Sequence, residues 1–144
     1  MTTPRSLSEQ SVFIDTSAFY ALLDQSDRWH AVAQETFERL AVEQRPLFTS
    51  NLAVAETYAL AGARLGRSVA FQWLSASDVV ILYEDERDHE RAFALLQQYQ
   101  DKAFSYADAV AFALMERSGT QTAFAFDEDF RQLGRLVVLP AQSG

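Results

Sequence analysis

Acids stand in this sequence where the neighbouring residues are those of a protein interior. Asp15, in "SVFIDTSAFYALLD", is the only charge between Glu9 and Asp24. Glu56 lies in "NLAVAETYALAG". On a helix Leu52, Glu56 and Leu60 fall in one row, so the carboxylate sits between two leucines on the apolar face. Asp108, in "AFSYADAVAFALM", is the only charge from Ala103 to Met115, and Asp127 follows "TAFAF" and precedes Asp129. An unpaired buried carboxylate is costly, so each of these acids needs a hydrogen-bond network or a cation.

If the acids converge they repel one another, and then either some take up protons or a cation holds them. Cys is absent and neither His is well placed. A hard oxygen donor set of this kind favours Mg²⁺ or Mn²⁺ over zinc. Mg²⁺ keeps several waters, and a water polarised by the metal can attack phosphorus. Acidic cluster, divalent metal and phosphodiester hydrolysis form one chemical proposal.

Each acid also has a plainer reading. Ser105-Tyr106-Ala107-Asp108 fits a capping box, so Asp108 can serve only its own helix. Asp127 can be the N-cap of the turn that follows. Glu56 can snorkel or pair with Arg64, and Asp15 can form an Asx turn. Taken singly, capping suffices for Asp108 and Asp127. Taken together, four exceptions at related edges of one sheet argue for a shared site.

The elements that would position them alternate. Strands are expected over 12–15, 46–49, 78–83, 122–126 and 135–139, and helices over 29–44, 52–65, 68–74, 86–100 and 105–117, with a helical turn over 128–133. Asp27 is the expected cap of the first long helix, Ser50 or Asn51 opens the next, and Gly66 and Gly119 stop helices. Strands alternating with helices predict an α/β domain with a mostly parallel sheet. Ligands in such sheets sit outside the carboxyl ends of the strands, where Asp15 and Asp127 fall.

The totals bound the rest. A chain of 144 residues, 49% hydrophobic, makes one domain able to bury a core without a disulfide staple. The single domain is expected over 1–144, with 1–10 and 140–144 flexible. No apolar run approaches the ~20 residues of a membrane span, and the polar start has no signal-peptide core. Cytosolic residence fits the lack of Cys. Twelve basic against twenty acidic residues give −8, with Lys102 the one lysine. That sign disfavours general attraction to nucleic acid, so an RNA substrate needs a local basic patch or divalent cations, and a basic protein partner is a natural alternative.

"FIDTSAFYALLD", the Glu in "SNLAVAETYAL", "DKAFSYADAVAFALM" and "TAFAFDEDFRQLG" resemble, in this order and spacing, the PIN-domain ribonucleases and most closely their VapC toxins. The resemblance covers about Val12 to Leu139. It implies a three-layer α/β/α sandwich with a five-stranded sheet in the order 3-2-1-4-5. It also implies a metal-dependent endoribonuclease that cuts transfer or ribosomal RNA, forms a homodimer and is held inactive by an antitoxin. Carried over by residue, it assigns Asp15, Glu56, Asp108 and Asp127 to an acidic Mg²⁺ or Mn²⁺ site, with Asp15 and Asp108 the most direct ligands. Asp129 becomes a further ligand, behind the first ion or for a second. Thr16 and Ser17 would hydrogen-bond Asp15 or a metal-bound water, and Ser105 would orient Asp108. From this and the −8 charge follows an antitoxin whose Arg or Lys enters the acidic pocket.

Other residues draw structural readings. Asp101 is a solvated loop acid, and His30 and His89 are surface residues. Trp29 and Trp73 belong to core or interface rather than to base-stacking platforms, and Arg45, Arg64 and Arg67 to solvated surface. Two other α/β enzymes fail on their motifs. A haloacid-dehalogenase-type phosphatase needs an Asp where Ser17 stands, and a receiver domain needs a Lys after its last strand. A PIN nuclease of RNA processing, or an inactive PIN-like binding module, remains the alternative.

Overall fold

A computed structural model describes residues 7–141. The expectation about the two termini therefore falls partly outside the described residues. Within them, Leu7 packs against the core and Ser11 closes a turn onto Ser8.

Val12–Ile14 forms the central strand, β1, and is wholly buried on both faces. Its side chains divide as a pleat requires: Phe13 enters one core, Val12 and Ile14 the other. Parallel strands covered on both sides read as continuous apolar runs, and that is why "VFI" shows no alternation. Flanking β1 are β2 (Leu47–Ser50) and β4 (Thr122–Phe124), with β3 (Val80–Leu82) and β5 (Val137–Leu139) at the edges. The sheet is all parallel in the order β3-β2-β1-β4-β5, with Val12 opposite both Leu47 and Thr122.

On one face lie α1 (Thr16–Leu23) and α2 (His30–Val42), with α3 (Asn51–Leu65) against α1 and α4 (Arg67–Ala76) against α3. On the other lie α5 (Glu86–Gln98), α6 (Tyr106–Arg117) and the short α7 (Glu128–Gln132). The α6 residues Asp108 to Met115 are all buried, because α6 is sandwiched between the sheet and α5. A helix buried all round can carry a charge only where its backbone leaves donors unmet, which is its first turn. Asp108 occupies that turn.

Several boundaries moved for physical reasons. Asp27 does not cap α2. Its carboxylate accepts from the Trp29 amide one turn earlier, and the N-cap position is Trp29, without a side-chain bond. Beyond Phe124 the chain leaves the β1 ladder, since the Phe126 amide donates to Ser17 Oγ instead. The expected strand over 122–126 is therefore cut short. Gly66 (φ +100°) separates α3 from α4, a backbone angle that favours glycine. Arg45 is not solvated surface: its guanidinium donates to Gln10 O and Thr122 Oγ1 and pins the amino end of the sheet. Asp88, 3% exposed, receives both Arg117 N–H donors at 2.9 and 3.0 Å, tying α5 to the end of α6.

Candidate metal centre

Three helix N-termini meet near the carboxyl edge of the sheet, and each has one of the acids singled out above in its cap or first turn. Asp15 is the N-cap of α1, and its Oδ2 accepts from the Ser17 amide (3.1 Å) and the Ser17 hydroxyl (2.6 Å). Ser105 caps α6 in a reciprocal box with Asp108, the two bonds being 2.9 and 3.0 Å. Asp127 caps α7 by accepting from the Asp129 amide at 2.9 Å. The plain capping readings are thus correct for these acids. They do not exclude a site, because a carboxylate has about four acceptor positions and a cap uses one or two.

Ser17 is the junction. Its hydroxyl donates to Asp15 and accepts from the amides of Phe126 (2.9 Å) and Asp127 (3.3 Å). This one side chain therefore fixes the end of β1 against the segment beyond β4 across more than 100 residues of sequence. Thr16 behaves differently from the expectation. Its hydroxyl donates to Ala53 O on α3, so it fastens α1 to α3 and leaves Asp15 to Ser17.

Carboxylate oxygens of Asp108, Asp127 and Asp129 lie within 4.8 Å of one another. Asp15 falls outside that group, yet its charge is felt by Asp108, and the charge of Asp127 is felt by Asp15. Glu56 stands further out. The row that α3 turns to the core is Ala53, Thr57 and Ala61, so Glu56 is exposed rather than set on the buried face. Arg64 does not pair with it but lies 5.2 Å from the Tyr20 ring centre. The charge of Asp127 still reaches Glu56.

All five carboxyls are held above their ordinary range, and loss of water around them is the leading cause in each, partial for the exposed Glu56 and Asp127. Burial and the Asp127 charge raise Asp15 to about 6 against the two Ser17 hydrogen bonds. Burial raises Asp129 to about 6 as well, helped by the neighbouring Asp108 carboxylate. Among the described residues no Arg, Lys or His forms an ion pair with any of the five. Oxygen donors alone, crowded, partly desolvated and lacking a protein cation, fit a hard divalent ion. The positive ends of α1 and α6 offset part of the repulsion while the site holds protons.

Two features are not legible in the sequence. Ser17 bonds Asp15 as expected, but nothing local shows that its lone pairs also reach the Phe126 and Asp127 amides. Trp29 does not belong to the core: it is 40% exposed and stacks on Phe126 beside the acids.

Comparison with known proteins agrees with this architecture. Residues 12–136 match the PIN domain family. The chain is 35% identical over 133 residues to the 23S rRNA-specific endonuclease VapC20 of Mycobacterium tuberculosis, covering 90% of this chain and 98% of the relative. The crystal structure of that sarcin–ricin loop cleaving toxin superposes with a TM-score of 0.75 at 31% identity, over 87% of this chain and 96% of the other. A toxin–antitoxin complex from Klebsiella pneumoniae shares the fold at a TM-score of 0.64 and 20% identity, over 88% and 95% of the two chains. Sheet order, acidic edge and sequence kinship agree, and the chain belongs to the PIN-domain family, in its VapC branch.

Proposed function

We propose that the protein is an endoribonuclease dependent on Mg²⁺ or Mn²⁺, with ribosomal RNA as its first candidate substrate, and that it is the toxin of a toxin–antitoxin pair. The observation that carries the reading is the group of Asp108, Asp127 and Asp129 oxygens within 4.8 Å, with no cation paired to it among the described residues. The relative's specificity for 23S rRNA points to that class of RNA. A bound divalent ion would polarise a water and offset the charge of the cleaved phosphate.

The chain's own residues do the rest. Asp108, Asp127 and Asp15 would hold the ion, with Asp129 as a further ligand beside Asp108. Ser17 keeps Asp15 aimed by donating to one of its oxygens, and Ser105 does the same for Asp108 through its backbone amide. Glu56, at the open rim and raised by partial desolvation and the Asp127 charge, is suited to take a proton there.

Incubated with 23S rRNA and Mg²⁺ or Mn²⁺, the protein is expected to yield discrete fragments, and EDTA should abolish them. Fragments that persist in EDTA would overturn the metal dependence.

The −8 charge suits an antitoxin that brings Arg or Lys to the acids. An apolar cleft of about 490 Å³, lined by Phe19, Leu22, Phe37 and Trp73, offers the same partner a seat on α1, α2 and α4. Purification from native cells should recover a small basic protein bound to the chain, and recovery of the chain alone would count against the pairing. The reading includes a cytoplasmic homodimer, for which the exposed Phe71 and Phe93 provide apolar surface.

A further inference from the structure

Next to the acids lies an aromatic feature that the cleavage chemistry does not use. Phe126 directly precedes Asp127, and its ring stacks on Trp29 with centroids 5.3 Å apart and planes 13° from parallel. The Arg28 guanidinium lies 4.6 Å from the centre of the Trp29 ring. Arg28 is exposed, and among the described residues it forms no hydrogen bond or ion pair. A cavity of about 350 Å³ opens beside the stack, lined by Trp29, Val32, Phe126, Glu128, Arg131 and Pro140. Arg131 is anchored there by donating to Pro140 O.

We infer that this cavity is a nucleobase subsite, which takes one unpaired base of the RNA next to the cleaved phosphate. The inference rests on the ribonuclease reading and adds how the RNA is held. Its volume lies within the range of small-ligand pockets, roughly 300–1,000 Å³. Planar aromatic faces accept a base of any identity, and single-stranded RNA is commonly held that way; the incoming base takes the place of the Arg28 guanidinium on Trp29 and frees it for the phosphate. Arg28 is the unpaired cation an acidic chain needs to hold a backbone phosphate. Packing alone does not require Trp29 to stay 40% exposed under an unpaired guanidinium. Glu128, on the same turn as Asp129, brings a carboxylate that favours bases presenting N–H donors. The tie through Phe126 to Asp127 sets the base one short step from the acids.

Kinetics on an RNA hairpin with Mg²⁺ test this. Trp29→Ala is expected to raise KM by roughly 5- to 100-fold with kcat little changed, in line with the cost of losing one base stack. Trp29→Phe should raise KM less than threefold. Arg28→Ala, at an exposed and unpaired position, should raise KM and flatten its dependence on salt without disturbing the fold. If Trp29→Ala fails to fold, the Arg28→Ala result decides. A KM within twofold of the unmodified protein for both Trp29→Ala and Arg28→Ala overturns the subsite.

The two readings fail separately. If the unmodified protein cuts no RNA, the ribonuclease reading falls and the cavity is judged by titrating GMP, AMP, CMP and UMP without metal. Quenching of tryptophan fluorescence that disappears in Trp29→Phe supports the base site, and no quenching by any of the four overturns it.

Discussion

Replacing Asp15 by Asn is expected to abolish RNA cleavage while leaving the fold intact or more stable. The loss should be at least about a hundredfold, since a metal ligand is asked for several kcal/mol of transition-state stabilisation. The gain in stability follows from the direction of the pKa. Burial raises Asp15 from 3.8 to about 6 in the folded protein, so carrying the charge at neutral pH costs the metal-free fold on the order of 2–3 kcal/mol. That cost is absent below about pH 4, grows as pH rises to about 6 and is complete above it. Asn keeps an oxygen that accepts from the Ser17 amide and hydroxyl, and it removes the charge. Urea titrations from pH 4 to 7 on metal-free protein should therefore show a fall in stability that Asp15→Asn flattens. A variant that still cleaves at the original rate would remove Asp15 from the site, whatever its stability.

Binding of the divalent ion itself should be visible without any substrate. At a hundredfold excess over its dissociation constant an ion contributes about 2.7 kcal/mol, equivalent to roughly 8–10 °C in Tm for a domain of this size. Mg²⁺ or Mn²⁺ at neutral pH should raise Tm by that order, and NaCl at matched ionic strength should do far less. The rise should shrink as pH falls below about 6. Protons compete with the ion there, on Asp129, raised by burial and Asp108, and on Asp15. Asp108→Asn should remove most of the shift, because its carboxyl is the most deeply buried of the group of three. An equal rise in that variant would mean that the ion binds elsewhere.

Most of the chain's architecture was legible from local pattern. Continuous apolar triplets such as "VFI" are satisfied in a sheet covered on both faces, and the almost uncharged run from Ala103 to Met115 in a helix enclosed on all sides. Those patterns also singled out the acids, since a charge within such a run must lie at an element's end, where free backbone donors meet it. Asp15, Asp108 and Asp127 are all found at helix N-termini for that reason.

Local pattern could not say which acids meet. Helical periodicity set Glu56 on a buried face, but the packing of α3 on α1 turned Ala53, Thr57 and Ala61 inward instead, since small residues allow close approach. Spacing in sequence likewise gives no sign that Asp129 would meet Asp108, or that Ser17 would bind the chain beyond β4. Side-chain identity and period determined the elements and the unusual charges at their ends, because burial and capping act within a few residues. The distances among Asp15, Asp108, Asp127 and Asp129, and the exposure of Trp29 beside them, were decided by how the sheet's parallel crossovers bring remote chain segments to one edge.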